Sequence, residues 1–227
     1  MRNRLVLWLP FPKSFLTQGF GANANPLYSG QGLKGHTAED WGVTWGALGL
    51  CVADNSYCYA VMNRDNPDPS KYRAVFTIVE TATGTYEISY GHCSAIMAEV
   101  GKTYMASDPL YRVGNTGDVY SGSHKVTKAE RLAGSKDGSH LHGPQVRVLE
   151  KVKRRTGRQL IYDGNGVLKR DGYYYEVVDY DNGYNGCIDP APLYNGVLAE
   201  NKPEILSAYA KLIVLIYKLF PFAKQAS

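Results

Sequence analysis

The chain has 227 residues, a mass of 25.1 kDa, a formal net charge of +4 and a pI near 8.7. It is long enough to bury most of the apolar surface that it exposes when unfolded, so we expect one globular domain with some elaboration. The charge is only mildly positive, and no basic stripe interleaved with aromatic residues is evident, which argues against a nucleic-acid partner.

The composition favours a fold that is mainly β. The sequence contains 24 Gly, 18 Tyr and 11 Pro. Tyr suits the half-buried face of a sheet, while Gly and Pro occur in the turns that join short strands. The four cysteines, Cys51, Cys58, Cys93 and Cys187, form no CxxC pair. A bridge between Cys51 and Cys58 across a hairpin is one alternative, and free or buried thiols are the simpler expectation.

The first residues predict no conventional export signal. Residues 1–12 contain two arginines and a brief apolar run over 5–9, which is shorter than the apolar core of a secretory signal and lacks a small-residue cleavage site. If the substrate lies outside the cytoplasm, we expect delivery by cell lysis, by a virus particle or by another route.

The first half of the chain predicts an entry strand and a hairpin. Residues 5–20 form a strand-like run that is broken by prolines. Residues 74–90 alternate between apolar and polar side chains around a turn at Thr83 and Gly84. We therefore expect a hairpin that ends at His92.

The second half predicts a long polar loop followed by an added hairpin. Residues 118–139 are rich in Gly, Ser and Lys and contain His124, so we expect them to form a surface loop with an exposed histidine. Further on, Asn165 and Gly166 lie between two strand-like runs, which is a strong hairpin signal.

One helix is predicted, at the C-terminal end. Residues 203–222 form a long apolar run in which Lys211 and Lys218 share one face, so we expect an amphipathic helix that packs on the domain or on a partner. A membrane span needs about 20 mostly uncharged residues, which makes membrane contact through this helix the less favoured alternative. We divide the chain into a domain over 1–200 and a helical extension over 201–227.

Four of the five histidines lie in short segments next to glycine or to one another. His140 and His142 are two residues apart, so in a strand they project from one face with their Cα atoms about 6.5 to 7 Å apart. Taken alone, the pair also fits a strand with two exposed histidines. His36 and Asp40 are four residues apart, and taken alone this spacing is better explained by a solvated aspartate in a turn.

Together these motifs offer two imidazoles and one carboxylate, which is the donor set of a catalytic zinc site with an open position for water. Such a site depresses the pKa of bound water and polarises a carbonyl oxygen, so hydrolysis of an amide becomes feasible near neutral pH. The remaining histidines, His92 and His140, suit proton transfer because imidazole titrates in that range.

The segments GHTAEDWG, YGH, VGNTGD, SHLH and IDP occur in this order along the chain. In this ordered series the sequence resembles the lysostaphin/LytM-type zinc metallopeptidases, over about residues 18–193. The resemblance implies an antiparallel β core of the duplicated hybrid motif kind, with a groove that contains one Zn²⁺ ion. It also implies hydrolysis of cross-links or stem peptides in bacterial peptidoglycan, as in a phage lysin or a tail-associated wall hydrolase.

The resemblance assigns roles to five residues. The HxxxD motif gives His36 and Asp40 as zinc ligands, and the second histidine of HxH gives His142 as the third. The histidine of YGH, His92, and the first histidine of HxH, His140, correspond to the catalytic pair.

Several features depart from the pattern or leave alternatives open. Ala38 and Glu39 replace the usual glycine between the first ligand pair, the 118–139 loop is long, and Pro144 predicts a distorted or edge strand. Tyr28 is a further candidate to donate to an oxyanion. The alternatives to an enzyme are a non-catalytic peptidoglycan-binding or regulatory module and a structural virion component.

Overall fold

The computed structural model describes residues 4–23 and 27–197. The predicted helix over 203–222 and the predicted extension over 201–227 lie outside these residues. Within the described part of the chain, no helix is long and apolar enough to cross a membrane.

The fold is mainly β, as the composition predicts. The strands of the described residues are β1 (Leu7–Leu9), β2 (Leu16–Gln18), β3 (Asp40–Trp41), β4 (Leu48–Leu50), β5 (Ser56–Met62), β6 (Ala74–Thr81), β7 (Gly84–Gly91), β8 (Cys93–Ile96), β9 (Thr103–Tyr104), β10 (Pro109–Val113), β11 (Tyr120–Ser121), β12 (His124–Lys125), β13 (Leu141–Val152), β14 (Lys169–Arg170), β15 (Tyr173–Val177), β16 (Cys187–Ile188) and β17 (Tyr194–Val197). In the same part of the chain the helices are the short α1 (Leu27–Gly30) and α2 (Lys128–Leu132), and single 3₁₀ turns occur at Lys13–Phe15, Tyr180–Asn182 and Ala191–Leu193.

One large antiparallel sheet organises the domain. Its main path runs β14-β15-β13-β7-β6-β5-β9, with β16 and β3 also paired to β13 and β2 paired to β3. A second, three-stranded sheet has the order β4-β10-β8. Strand β13 is therefore the central element, since it contacts β3, β16 and β15 on one side and β7 on the other.

The predicted hairpin around Thr83 and Gly84 is present as β6 and β7, which pair without interruption from Val75 to Thr81. Alternation along β6 separates two apolar clusters: Val75 and Val79 belong to the main core shared with the three-stranded sheet, while Ile78 faces the other side. Both faces of β6 are therefore covered, which explains why six of its eight residues, Ala74–Thr81, are apolar or buried on either face instead of strictly alternating.

The chain turns at Asn165 and Gly166 as predicted, and a second hairpin follows. Tyr162 and Val167 form an isolated antiparallel bridge across this turn, and Leu168 N donates to Ile161 O over 3.0 Å. The strands β14 and β15 form the next hairpin and are joined by Asp171 and Gly172, both with positive φ. An Asp-Gly pair with two positive φ values is the preferred two-residue hairpin connection, and this signal was missed in the sequence.

The 118–139 segment is not an irregular loop. It contains the hairpin of β11 and β12 and the helix α2, which begins with a capping box between Thr127 and Glu130. Within this segment, the side chains of Val126 and Arg131 are buried. His124 is exposed as predicted and pairs with Glu130.

All four cysteines are buried and free, in agreement with the simpler expectation.

A matched pair of leucine substitutions tests the position of the core. Leu110 is completely buried in the main cluster, whereas Leu132 on α2 is 66% exposed. We expect Leu110→Ala to lower the free energy of unfolding by about 2 to 5 kcal/mol, because it removes buried methyl groups and leaves a cavity. Leu132→Ala should change it by less than about 0.5 kcal/mol. Urea unfolding measures both, and equal losses would contradict this description of the core.

Candidate metal centre

The first residues of β13 are paired on both sides. Leu141 and His142 lie opposite Trp41 and Asp40 of β3, while His142 also lies opposite Gly91 of β7. Directly opposed residues of two strands project from the same face, so the side chains of Asp40 and His142 are brought together by strand pairing alone.

His36 reaches the same point from the loop before β3. Its backbone is held by two hydrogen bonds, in which His36 N donates to Ala22 O over 2.9 Å and Gly21 N donates to His36 O over 2.8 Å. A side chain at Gly35 is excluded, because a Cβ atom there would lie 2.4 Å from Gly21 O. The glycine before His36 therefore allows the close backbone approach that positions the buried ring.

Three polar atoms form a nearly equilateral triangle at this point. His36 Nε2 lies 3.2 Å from Asp40 Oδ1 and 3.1 Å from His142 Nδ1, and His142 Nδ1 lies 3.0 Å from Asp40 Oδ1. The other ring nitrogen of His36 donates to Gly19 O over 3.3 Å, which leaves Nε2 free to face the triangle.

This triangle fits a small divalent cation. Nitrogen and oxygen donors at about 2.0 to 2.2 Å from a tetrahedral Zn²⁺ ion are about 3.3 to 3.6 Å apart, slightly more than the 3.0 to 3.2 Å found here. Burial raises the pKa of Asp40, but hydrogen bonds from His142 and His36 outweigh it, so the pKa lies well below its usual value. The aspartate is therefore charged, and the donor set of two imidazoles and one carboxylate is compatible with zinc.

His92 and His140 lie beside the triangle. His140 Nε2 is 3.6 Å from Asp40 Oδ1, and His140 Nδ1 donates to Gly138 O over 2.8 Å. His92 Nδ1 donates to Thr116 O over 2.6 Å, and the ring centroids of His92 and His140 are 4.5 Å apart. The structure thus brings together all five residues that the sequence singled out.

The backbone and the charge state of His92 are both unusual. Its φ is 60°, a left-handed conformation that residues other than glycine rarely adopt. Burial, together with the neighbouring His140 and His142, lowers the pKa of His92 well below its usual value. A neutral imidazole carries one ring proton, and because Nδ1 donates to a carbonyl, Nε2 is available as an acceptor.

The five residues lie in an open groove of about 1040 Å³. Tyr28, Tyr72 and Tyr120 contribute to its lining, together with other residues of the 118–139 segment. The hydroxyl of Tyr28 accepts a hydrogen bond from Gln18 Nε2 over 2.7 Å, and its ring is 5.7 Å from that of His36. Tyr28 therefore lies in the groove beside the triangle.

Sequence reasoning missed Tyr72, which packs edge-on against the ring of His92 at a centroid distance of 5.1 Å. It lies against two glycines: a Cβ at Gly91 would be 1.9 Å from the Tyr72 hydroxyl, and one at Gly117 would be 2.9 Å from Tyr72 Cβ. Gly91 and Gly117 belong to the YGH and VGNTGD segments, but nothing in the sequence indicated that a tyrosine side chain packs against them.

Of the two effects predicted for Pro144, a distorted strand and an edge position, the structure shows the distortion. The register of β13 against β7 shifts between His142 and Gln145, so the strand is distorted there. The strand is not at an edge of the sheet, because β3 pairs with β13 just before Pro144 and β16 pairs with it just after.

No protein-family model matches the chain, and no curated protein matches it by sequence. Among solved structures, the fold is similar to a zinc-containing peptidase from Vibrio cholerae, with 18% identity and a TM-score of 0.39 over 65% of this chain and 37% of that one. The chain thus spans little more than a third of that peptidase. It is also similar to LytU, with 18% identity and a TM-score of 0.45 over 80% of this chain and 85% of that one. Both likenesses are distant, and the function is therefore inferred from the residues of the site.

The packing of Tyr72 against Gly91 can be tested by a double-mutant cycle. Gly91→Ala should lower the free energy of unfolding by about 1 to 3 kcal/mol, because the added methyl group overlaps the Tyr72 ring. In a Tyr72→Ala background the same change should cost much less, since the overlapping atoms are gone. Gly30→Ala is the matched control, because no atom lies within 4 Å of a Cβ at that position. Additive losses in the cycle would contradict the contact.

Proposed function

We propose that the chain is a zinc-dependent endopeptidase of the lysostaphin/LytM type, which hydrolyses peptide cross-links or stem peptides of bacterial peptidoglycan. The observation that carries the proposal is the convergence of His36 Nε2, Asp40 Oδ1 and His142 Nδ1 within 3.2 Å of one another. These residues come from two segments about a hundred positions apart, and their donor atoms meet in one place.

The three residues would hold one Zn²⁺ ion. When bound, zinc acts as a Lewis acid and lowers the pKa of a coordinated water to near neutrality. The chain contributes a single negative charge, from Asp40, so the site retains a net positive charge that favours a developing oxyanion. His142 and His36 are held by the surrounding backbone and strands, which keeps the donor geometry fixed before a ligand binds.

His92 and His140 are the catalytic pair in this proposal. His92 is neutral with an acceptor nitrogen, which suits removal of a proton from the attacking water. His140 lies 3.6 Å from Asp40 Oδ1, where its ring can donate a proton to the departing amine or stabilise an oxyanion. Tyr28 is a second donor within the same groove.

An extended peptide is the substrate class that the groove supports best. The groove is open, and Tyr28 and residues of the 118–139 segment line it together with the histidines, so an extended chain can reach the site without entering a closed cavity. The order of the motifs supports wall peptides as the particular class. Delivery as a phage lysin or as a tail-associated wall hydrolase is the corresponding biological setting.

Matched alanine substitutions test whether His36 and His142 bind zinc, in contrast to the surface histidine His124. We expect the wild type to bind one zinc per chain and to clear bacterial cell walls, and we expect His36→Ala and His142→Ala to lose both properties. His124→Ala is the control, because His124 is exposed and its side chain pairs, among the described residues, with Glu130 alone. Metal analysis and wall-clearing assays measure the outcome. Absence of stoichiometric zinc in the wild type, or undiminished clearing by His36→Ala, would overturn the proposal.

The catalytic pair should behave differently from the ligands. His92→Ala and His140→Ala should retain bound zinc, while kcat falls by about 10² to 10⁴, the usual contribution of general acid–base catalysis. Mass spectrometry of muropeptides identifies the bond that is cut. If muropeptides bind to the zinc-loaded wild type without any cleavage product, the chain is a binding module instead of an enzyme.

A further inference from the structure

The 118–139 segment inserts a buried arginine beside the site. Helix α2 is held by its own capping box, in which Thr127 N donates to Glu130 Oε2 over 2.7 Å and Glu130 N donates to Thr127 Oγ1 over 3.3 Å. The last turn of the helix carries Arg131, whose side chain points inward and is only 9% exposed, while the adjacent Leu132 faces solvent.

The guanidinium of Arg131 contacts the backbone on both sides of Thr116. Arg131 Nε donates to Asn115 O and Arg131 Nη2 donates to Gly117 O, each over 2.7 Å. Among the described residues Arg131 forms no ion pair, and its side-chain hydrogen bonds go to the backbone carbonyls of residues 115 and 117. A buried charge is costly unless it is hydrogen-bonded, and the planar fork of arginine suits two carbonyls in a fixed relation.

The carbonyl between these two is the one that orients His92. Thr116 O accepts from His92 Nδ1 over 2.6 Å, and the Thr116 hydroxyl donates to Cys93 O over 3.1 Å. The same turn also positions His140, because His140 N donates to Gly114 O over 3.1 Å. Residues 114–117 therefore hold both histidines of the proposed catalytic pair, and Arg131 holds this turn.

We propose that Arg131 is a positioning residue: by fixing the carbonyls of Asn115 and Gly117 it sets the direction of the Thr116 carbonyl, and hence the tautomer and orientation of His92. This inference rests on the proposed function, in which His92 Nε2 must face the groove as an acceptor. The inserted segment is then an integral part of the active site and not a surface elaboration. Small errors in the position of an acid or base are expensive, since displacement by about 1 Å can cost about 100-fold in rate.

A purely structural reading of the same contacts is that Arg131 only anchors the inserted segment. The two readings differ in what the loss of the guanidinium changes. Loss of an anchor lowers stability and loosens the 118–139 segment. Loss of a positioning residue changes kcat at constant KM and constant zinc content, and it alters the proton distribution on the His92 ring.

The test compares Arg131→Met, Arg131→Lys and the wild type, with Arg154→Met as a matched control at an exposed arginine that is absent from the groove lining. Each zinc-supplied protein is assayed for zinc content and for kcat and KM on wall peptides. Histidine ring ¹⁵N spectra are recorded in parallel, with the His92 signals assigned by their loss in His92→Gln.

We expect Arg131→Met to lower kcat by about 10- to 100-fold with KM and zinc unchanged. We also expect its His92 nitrogen shifts to move from the Nδ1-protonated pattern towards a mixture of tautomers.

Arg131→Lys keeps the charge but loses the planar fork, so we expect an intermediate kcat and a smaller change in the His92 shifts. This variant decides the question if Arg131→Met does not fold. Wild-type kcat and unchanged His92 shifts in Arg131→Met, or in Arg131→Lys if only that variant folds, would overturn the inference. If the wild type cleaves no peptide at all, the proposed function fails, while the ring spectra still decide whether Arg131 sets the state of His92.

Discussion

Strand β13 pairs with β3 and with β7 at the same residue, and the candidate site depends on this double pairing. His142 lies opposite Asp40 on one side and opposite Gly91 on the other. The first contact brings two proposed ligands together, and the second brings His92, which follows Gly91, to the edge of the same site. A register shift of one residue in either pair would turn these side chains to the opposite face of the sheet.

Alternation along the same strands links the site to the core. Trp41 and Leu141, the neighbours of Asp40 and His142, are completely buried in the main apolar cluster, while the two proposed ligands face the groove. Burial of the apolar residues therefore fixes the backbone that carries the polar ones. Rigid strands position a site more tightly than loops do, which suits a donor triangle with separations of 3.0 to 3.2 Å.

The sequence predicted much of this arrangement because the informative signals are local. Spacing and order singled out His36, Asp40, His92, His140 and His142, and alternation gave the β6 and β7 hairpin. What the sequence could not give depends on contacts between distant segments. The position of Tyr72 against Gly91 follows from packing, and the inward direction of Arg131 follows from a helix of five residues in a segment whose polar composition suggested a loop. The turn at Asp171 and Gly172 was readable locally but was overlooked in favour of the turn at Asn165.

The proposed function requires that the side chains of His36, Asp40 and His142 form one metal site. The most direct measurement is a crystal structure of the protein grown with Zn²⁺, with anomalous scattering recorded at the zinc absorption edge. We expect a single strong peak about 2.0 to 2.2 Å from His36 Nε2, Asp40 Oδ1 and His142 Nδ1, with an open coordination position towards the groove. An anomalous map without a peak at this position, or side chains of these three residues that diverge, would contradict it.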